Sequence, residues 1–121
     1  MSLDVLAIDD SATMRQLLSA ALTEAGFNVS LAEDGEKGLE TLEHFSPNVI
    51  ITDINMPNLD GFGLIAGVRR MDQHRGTPIL VLTTESGPAL RKRAKDAGAT
   101  GWIVKPFDKD KLANAIRRVA M

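Results

Sequence analysis

The sequence predicts an α/β fold: a five-stranded parallel sheet, doubly wound, with helices on both faces, in a single domain over residues 1–121. Three observations predict it. Short β-like runs alternate with helical periodicity five times along the chain. The strand runs are apolar almost throughout, Leu3–Ile8 at five of six positions, as in strands covered on both faces. Finally, 121 residues, 44% hydrophobic and 25% charged, suit one globular domain with its own core and are too few for an eight-fold barrel.

The elements follow in order. After strand Leu3–Ile8 comes a helix whose stripe runs Met14, Leu17, Leu18, Ala21, Leu22 and Ala25, with Ser11 as N-cap and Gly26 as its stop. Phe27–Ala32 is the second strand. Asp34-Gly35 opens a helix to about Phe45, with Leu39 and Leu42 inward, and Pro47 blocks its continuation. Asn48–Thr52 is the third strand. A loop with Pro57 and Gly61 leads to a helix ending near Met71. Pro78–Leu82 is the fourth strand, and the helix from about Pro88 to Ala97 sets Leu90, Ala94 and Ala97 on one face before Gly98 ends it. Trp102–Val104 is a short fifth strand. The last helix, about Lys109 to Ala120, turns Leu112, Ala115, Ile116 and Val119 inward.

Composition excludes several functions. The chain has no Cys, so a disulfide scaffold, a thiolate zinc site and a cysteine nucleophile are out. His44 and His74 have no ligand spacing. No apolar run approaches ~18 residues, and Asp9 and Asp10 interrupt anything resembling a signal peptide, so the expected compartment is the cytoplasm. The net charge of −2 hides an asymmetry: residues 1–87 hold 13 acidic and 5 basic side chains, residues 88–121 hold 3 and 9. An acidic body and a basic C-terminal third suggest two surfaces with different tasks.

Doubly wound sheets bind ligands beyond the carboxyl ends of their strands. There the first strand carries Asp9-Asp10, the third Asp53, the fourth Thr83-Thr84 and the fifth Lys105-Pro106. Three carboxylates gathered at one edge repel one another, so a pKa rises or a cation enters. Oxygen ligands without His or Cys favour Mg²⁺. In the flavodoxin-like order 2-1-3-4-5 the third strand is central, which makes Asp53 the candidate nucleophile. Lys105 would offer a fixed cation to phosphoryl oxygens, and Thr83 a hydroxyl.

The text that surrounds these residues, Ile8-Asp9-Asp10-Ser11, Asp53 to Gly61, Leu82-Thr83-Thr84-Glu85, Ala97-Gly98-Ala99 and Val104-Lys105-Pro106-Phe107, resembles the response-regulator receiver domains over essentially the whole chain. The likeness is greatest to the single-domain chemotaxis regulators. The resemblance implies that Asp53 accepts a phosphoryl group from a CheA-type histidine kinase. It implies Mg²⁺ bound directly by Asp10 and Asp53, through water by Asp9 and through the backbone carbonyl of Asn55. Lys105 would pair with a phosphoryl oxygen, and its peptide bond to Pro106 is expected to be cis. Thr83 would be the switch hydroxyl and Trp102 the switch aromatic, where the family usually has Tyr or Phe. Trp is larger, and its indole N–H needs a partner when buried. Asn55 and Glu85 would flank the path of the hydrolytic water and tune self-dephosphorylation. Such a protein is a phospho-acceptor rather than a conventional enzyme.

The basic C-terminal third points to an output face on the fourth helix, fifth strand and fifth helix, where Arg91, Lys92, Lys95, Trp102, Lys109 and Lys111 would lie on or beside one face, and a monomer with no nucleic-acid or membrane partner is expected. Its expected partners are the kinase, a flagellar motor switch protein and a phosphatase. A phosphate sink or relay intermediate that binds no motor is the alternative. A flavin carrier fits poorly, because Asp9-Asp10 would repel a flavin phosphate. A haloacid-dehalogenase-type phosphatase would need its two aspartates one residue apart, which Asp9-Asp10-Ser11-Ala12 does not provide.

Overall fold

The computed structural model describes residues 2–120. Strands β1 (Asp4–Ile8), β2 (Asn28–Ala32), β3 (Val49–Thr52), β4 (Ile79–Thr83) and β5 (Gly101–Val104) alternate with helices α1 (Ala12–Glu24), α2 (Gly35–Leu42), α3 (Gly61–Arg70), α4 (Pro88–Ala97) and α5 (Lys109–Val119). The strands pair in parallel in the order β2-β1-β3-β4-β5, so β3 is central.

Alternation along each strand divides the core in two. Leu6, Ile8, Ile50, Ile79 and Val81 face α2, α3 and α4, where Leu42, Leu64, Ile65, Val68 and Ala94 meet them. Val5, Ala7, Val49, Ile51, Leu80 and Leu82 face the other way, onto Leu18 and Leu22 of α1 and Leu112, Ala113 and Ile116 of α5. Every residue of β3 and β4 is buried, as expected of central strands covered on both sides.

Side-chain caps start four of the helices. Ser11, Asp34, Asp60 and Asp108 each accept the backbone N–H three residues on, from Met14, Lys37, Gly63 and Lys111. Gly98 closes α4 in the left-handed conformation with φ 119°.

Several boundaries differ from expectation. The second helix ends at Leu42 rather than near Phe45, where the buried His74 ring takes the Leu42 carbonyl at 2.8 Å. The third helix ends at Arg70 with Met71 as its C-cap, as expected, but a 3-10 turn over Asp72–His74 follows that the sequence did not suggest. The fifth strand begins at Gly101 rather than Trp102. Leu17 is 52% exposed, so the first helix buries a narrower stripe than its apolar positions suggest. In α5 it is Ala113, not Ala115, that is buried; Ala115 is half-buried.

Candidate functional site

The carboxyl ends of β1, β3, β4 and β5 meet at one edge of the sheet. β1 runs directly into Asp9 and β3 into Asp53, so neighbouring parallel strands in register place both side chains at the same level. Asp9, Asp10 and Asp53 each offer a carboxylate oxygen within 4.8 Å of the others. The Lys105 ammonium, one residue past β5, donates to Asp9 Oδ2 at 2.7 Å and to Asp53 Oδ2 at 2.8 Å. The side chains of Asp9, Asp53 and Lys105 are 2%, 12% and 9% exposed, whereas Asp10 lies in the open.

Burial alone would lower the Lys105 pKa. The hydrogen bonds and charges of Asp53 and Asp9 outweigh it and hold the ammonium above the ordinary lysine value. The Lys105–Pro106 peptide is cis, as expected. Both carboxylates have further partners. Asp9 Oδ1 accepts the Ser11 N–H at 2.9 Å and Asp53 Oδ1 the Ile54 N–H at 2.6 Å. The aspartates are therefore aimed by backbone groups from their own loops, and Lys105 ties them across the sheet.

Three carboxylates against one ammonium leave an excess of negative charge, and among the described residues the cluster offers carboxylate oxygens without His or Cys. That donor set fits a hard divalent cation.

Thr83 is fully buried at the end of β4, and its hydroxyl accepts the Glu85 N–H at 3.3 Å. Glu85 then gathers its neighbours. Its carbonyl accepts the Trp102 indole N–H at 3.0 Å, and its carboxylate accepts the Asn55 amide at 3.3 Å. The indole thus has its partner, and that partner lies on the loop that leaves Thr83.

The basic face divides. Arg91, Lys92 and Lys95 line a groove of about 390 Å³ with Ala94, Ala99, Gly101 and Trp102. Lys109 does not join them. It pairs with Glu24 of α1 at 3.0 Å, on the opposite layer of the sheet, and Lys111 does not line the groove either.

Sequence reasoning missed two contacts that shape the site. The Arg15 guanidinium donates to the Asp9 carbonyl at 2.7 Å. Asp34 caps α2 and also accepts the Asn58 amide at 2.8 Å. The one available signal for the second was Pro57-Asn58, a turn-forming pair in a loop.

This edge, with an acidic cluster, a buried hydroxyl and a bridging lysine, defines a receiver. Residues 5–117 match the response regulator receiver domain family, and the chain belongs to it. Over 116 residues the chain is 38% identical to the "Probable chemotaxis protein CheY" of Rhizobium etli, covering 95% of this chain and 90% of that one. The solved chemotaxis protein CheY4 of Vibrio cholerae superposes with a TM-score of 0.94 at 43% identity, over 98% of this chain and 99% of that one. The receiver domain of the sensor histidine kinase PA1611 of Pseudomonas aeruginosa, with a magnesium ion coordinated in its active site cleft, gives 0.92 at 25% identity, over 99% and 98%. The chain is a CheY-like receiver. No helix among the described residues is long and apolar enough to cross a membrane.

Proposed function

We propose that this receiver is a Mg²⁺-dependent phospho-acceptor of a two-component system, phosphorylated on Asp53 by a CheA-type histidine kinase and acting in chemotaxis in the cytoplasm. The observation that carries it is Lys105 held between Asp9 and Asp53 inside a cluster of three carboxylates. An Asp53 carboxylate oxygen attacks the phosphorus of a phosphohistidine. The P–O bond forms as the P–N bond breaks, and the imidazole leaves with the electron pair and takes up a proton. Asp9, Asp10, Asp53 and the Asn55 carbonyl would hold the metal, which when bound offsets charge on the phosphoryl oxygens. Lys105 can leave Asp9 to pair with a phosphoryl oxygen. The product carries about 1.5–2 further negative charges, by analogy with other protein phosphoryl groups. Asn55 and Glu85, joined by a hydrogen bond of 3.3 Å, would flank the line of a hydrolytic water and tune self-dephosphorylation.

The test is labelling with acetyl phosphate or a phosphorylated kinase domain. Label should appear with Mg²⁺ and vanish in Asp53→Asn. Label retained by that variant, or formed without metal, overturns the assignment.

The output reading is that the groove beside Trp102 takes an acidic amphipathic helix of a motor switch protein when Asp53 is phosphorylated. A motor-switch peptide should bind at least tenfold tighter to protein carrying a phosphoryl mimic. Equal affinity with unchanged Trp102 fluorescence would favour a phosphate sink or relay receiver that binds no motor.

A further inference from the structure

The loop from Ile54 to Asp60 is closed at its feet: the Gly61 N–H donates to the Ile54 carbonyl at 2.8 Å. Its tip is a one-residue γ turn. The Leu59 N–H donates to the Pro57 carbonyl at 2.7 Å, and Asn58 between them has φ 67°. Turns of this sense are rare and strained, and such a conformation persists only where surrounding contacts over-determine it.

Those contacts come from the start of α2. Asp34, 5% exposed, uses one carboxylate oxygen to cap the helix at Lys37 and the other to accept the Asn58 amide at 2.8 Å. Beside it, the Gly35 N–H donates to the Leu59 carbonyl at 3.2 Å, with backbones so close that a Cβ at Gly35 would stand 2.5 Å from that oxygen. Asn55, whose carbonyl belongs to the proposed metal site, sits between the closed feet and this pinned tip.

We infer that Asp34 and Asn58 form a clasp that positions the metal-binding loop. They are positioning residues for the cation, touching neither it nor the phosphoryl group. The inference rests on the Mg²⁺ reading of the site. It assigns α2 a task in that chemistry although α2 contributes no ligand.

Two variants open the clasp and leave each partner's other task intact. Asn58→Gly keeps a residue suited to positive φ and removes the amide. Asp34→Ser keeps a good N-cap and removes the second oxygen. Calorimetric titration of the full chain with Mg²⁺ should show about tenfold weaker binding in either variant, the scale typical of lost outer-shell support. The double variant should be no weaker than the worse single, because one contact is lost either way. The urea midpoint should fall only slightly in Asn58→Gly, with unfolding still a single cooperative transition, so affinity falls without loss of fold. In the metal-free protein, amide exchange over residues 54–60 should quicken in both variants. Affinities within twofold of the unmodified chain, or additive losses in the double variant, overturn the inference. If the unmodified chain binds no Mg²⁺ the metal reading itself fails, and unchanged exchange at 54–60 would then refute the clasp separately.

Discussion

Two loops border the acidic edge, and they are built in opposite ways. The loop after β3 returns on itself, is clasped at its tip by Asp34, and ends in a helix capped by Asp60. The loop after β4 has exposed Thr84 and Ser86, and leads into α4, whose N-cap, Gly87, has no side-chain hydrogen bond. It is held at one residue, Glu85, through Thr83, Asn55 and Trp102. The more heavily tethered loop is thus the one proposed to carry metal ligands, and the less tethered one lies where the proposed signal would have to become movement. The tethers of the second loop run to the buried hydroxyl and to the groove aromatic. Under the proposed function, these few tethers are the contacts that a change at Asp53 would have to rearrange to reach the basic groove.

The first way to break this contrast is to force the closed loop open. A Cβ at Gly61 would fall inside contact distance of the Asp53 carbonyl oxygen, which is backbone and cannot swing aside. Gly61→Ala should cost about 2–3 kcal/mol in urea unfolding, as overpacking against fixed atoms does. It should also impair phosphorylation, since the atoms displaced belong to Asp53, the proposed acceptor. A loss under 0.5 kcal/mol would mean the loop is more compliant than its contacts imply.

The sequence revealed the chemistry of this edge better than its supports. Asp9, Asp10, Asp53, Thr83 and Lys105 were legible because each follows or ends an apolar strand, and parallel register does the rest. Asp34 was legible only as a helix opener. Its second partner, Asn58, lies 24 residues away, and no local pattern predicts which oxygen is left over from a cap. Lys109 was misplaced for the same reason. Its charge is visible in the chain, but its partner, Glu24, is set by how α1 packs against α5. Leu17 belongs to the apolar period of its helix, yet the stripe α1 buries centres on Leu18 and Leu22.

A milder change sharpens the other half of the comparison. Trp102→Phe removes the indole N–H and with it the bond to the Glu85 carbonyl. That carbonyl can turn to water, so the loss should be near the ordinary value for a hydrogen bond, about 1 kcal/mol. Amide exchange should quicken over residues 84–87 and stay unchanged over 54–60. Equal quickening of both loops would show that they move as one body, and the division of labour would fall.

The smallest expected effect is one of pH, and it belongs to the clasped loop. The Lys37 backbone N–H and then the Asn58 amide hold the Asp34 carboxyl below the usual carboxylate range. A carboxyl whose folded pKa lies below its unfolded value of ~3.9 adds stability above that value. The contribution disappears as pH falls through the folded pKa, because the protonated group can no longer accept at both oxygens. Urea midpoints of the unmodified chain should therefore fall below about pH 4. Asp34→Asn removes the titrating group, keeps a cap oxygen, and can still pair with Asn58 once that amide turns over. Its midpoint should fall less steeply in the same window, while Trp102→Phe should keep the slope of the unmodified chain. Identical slopes for Asp34→Asn and the unmodified protein would show that the Asp34 charge gives the closed loop no advantage over a neutral cap.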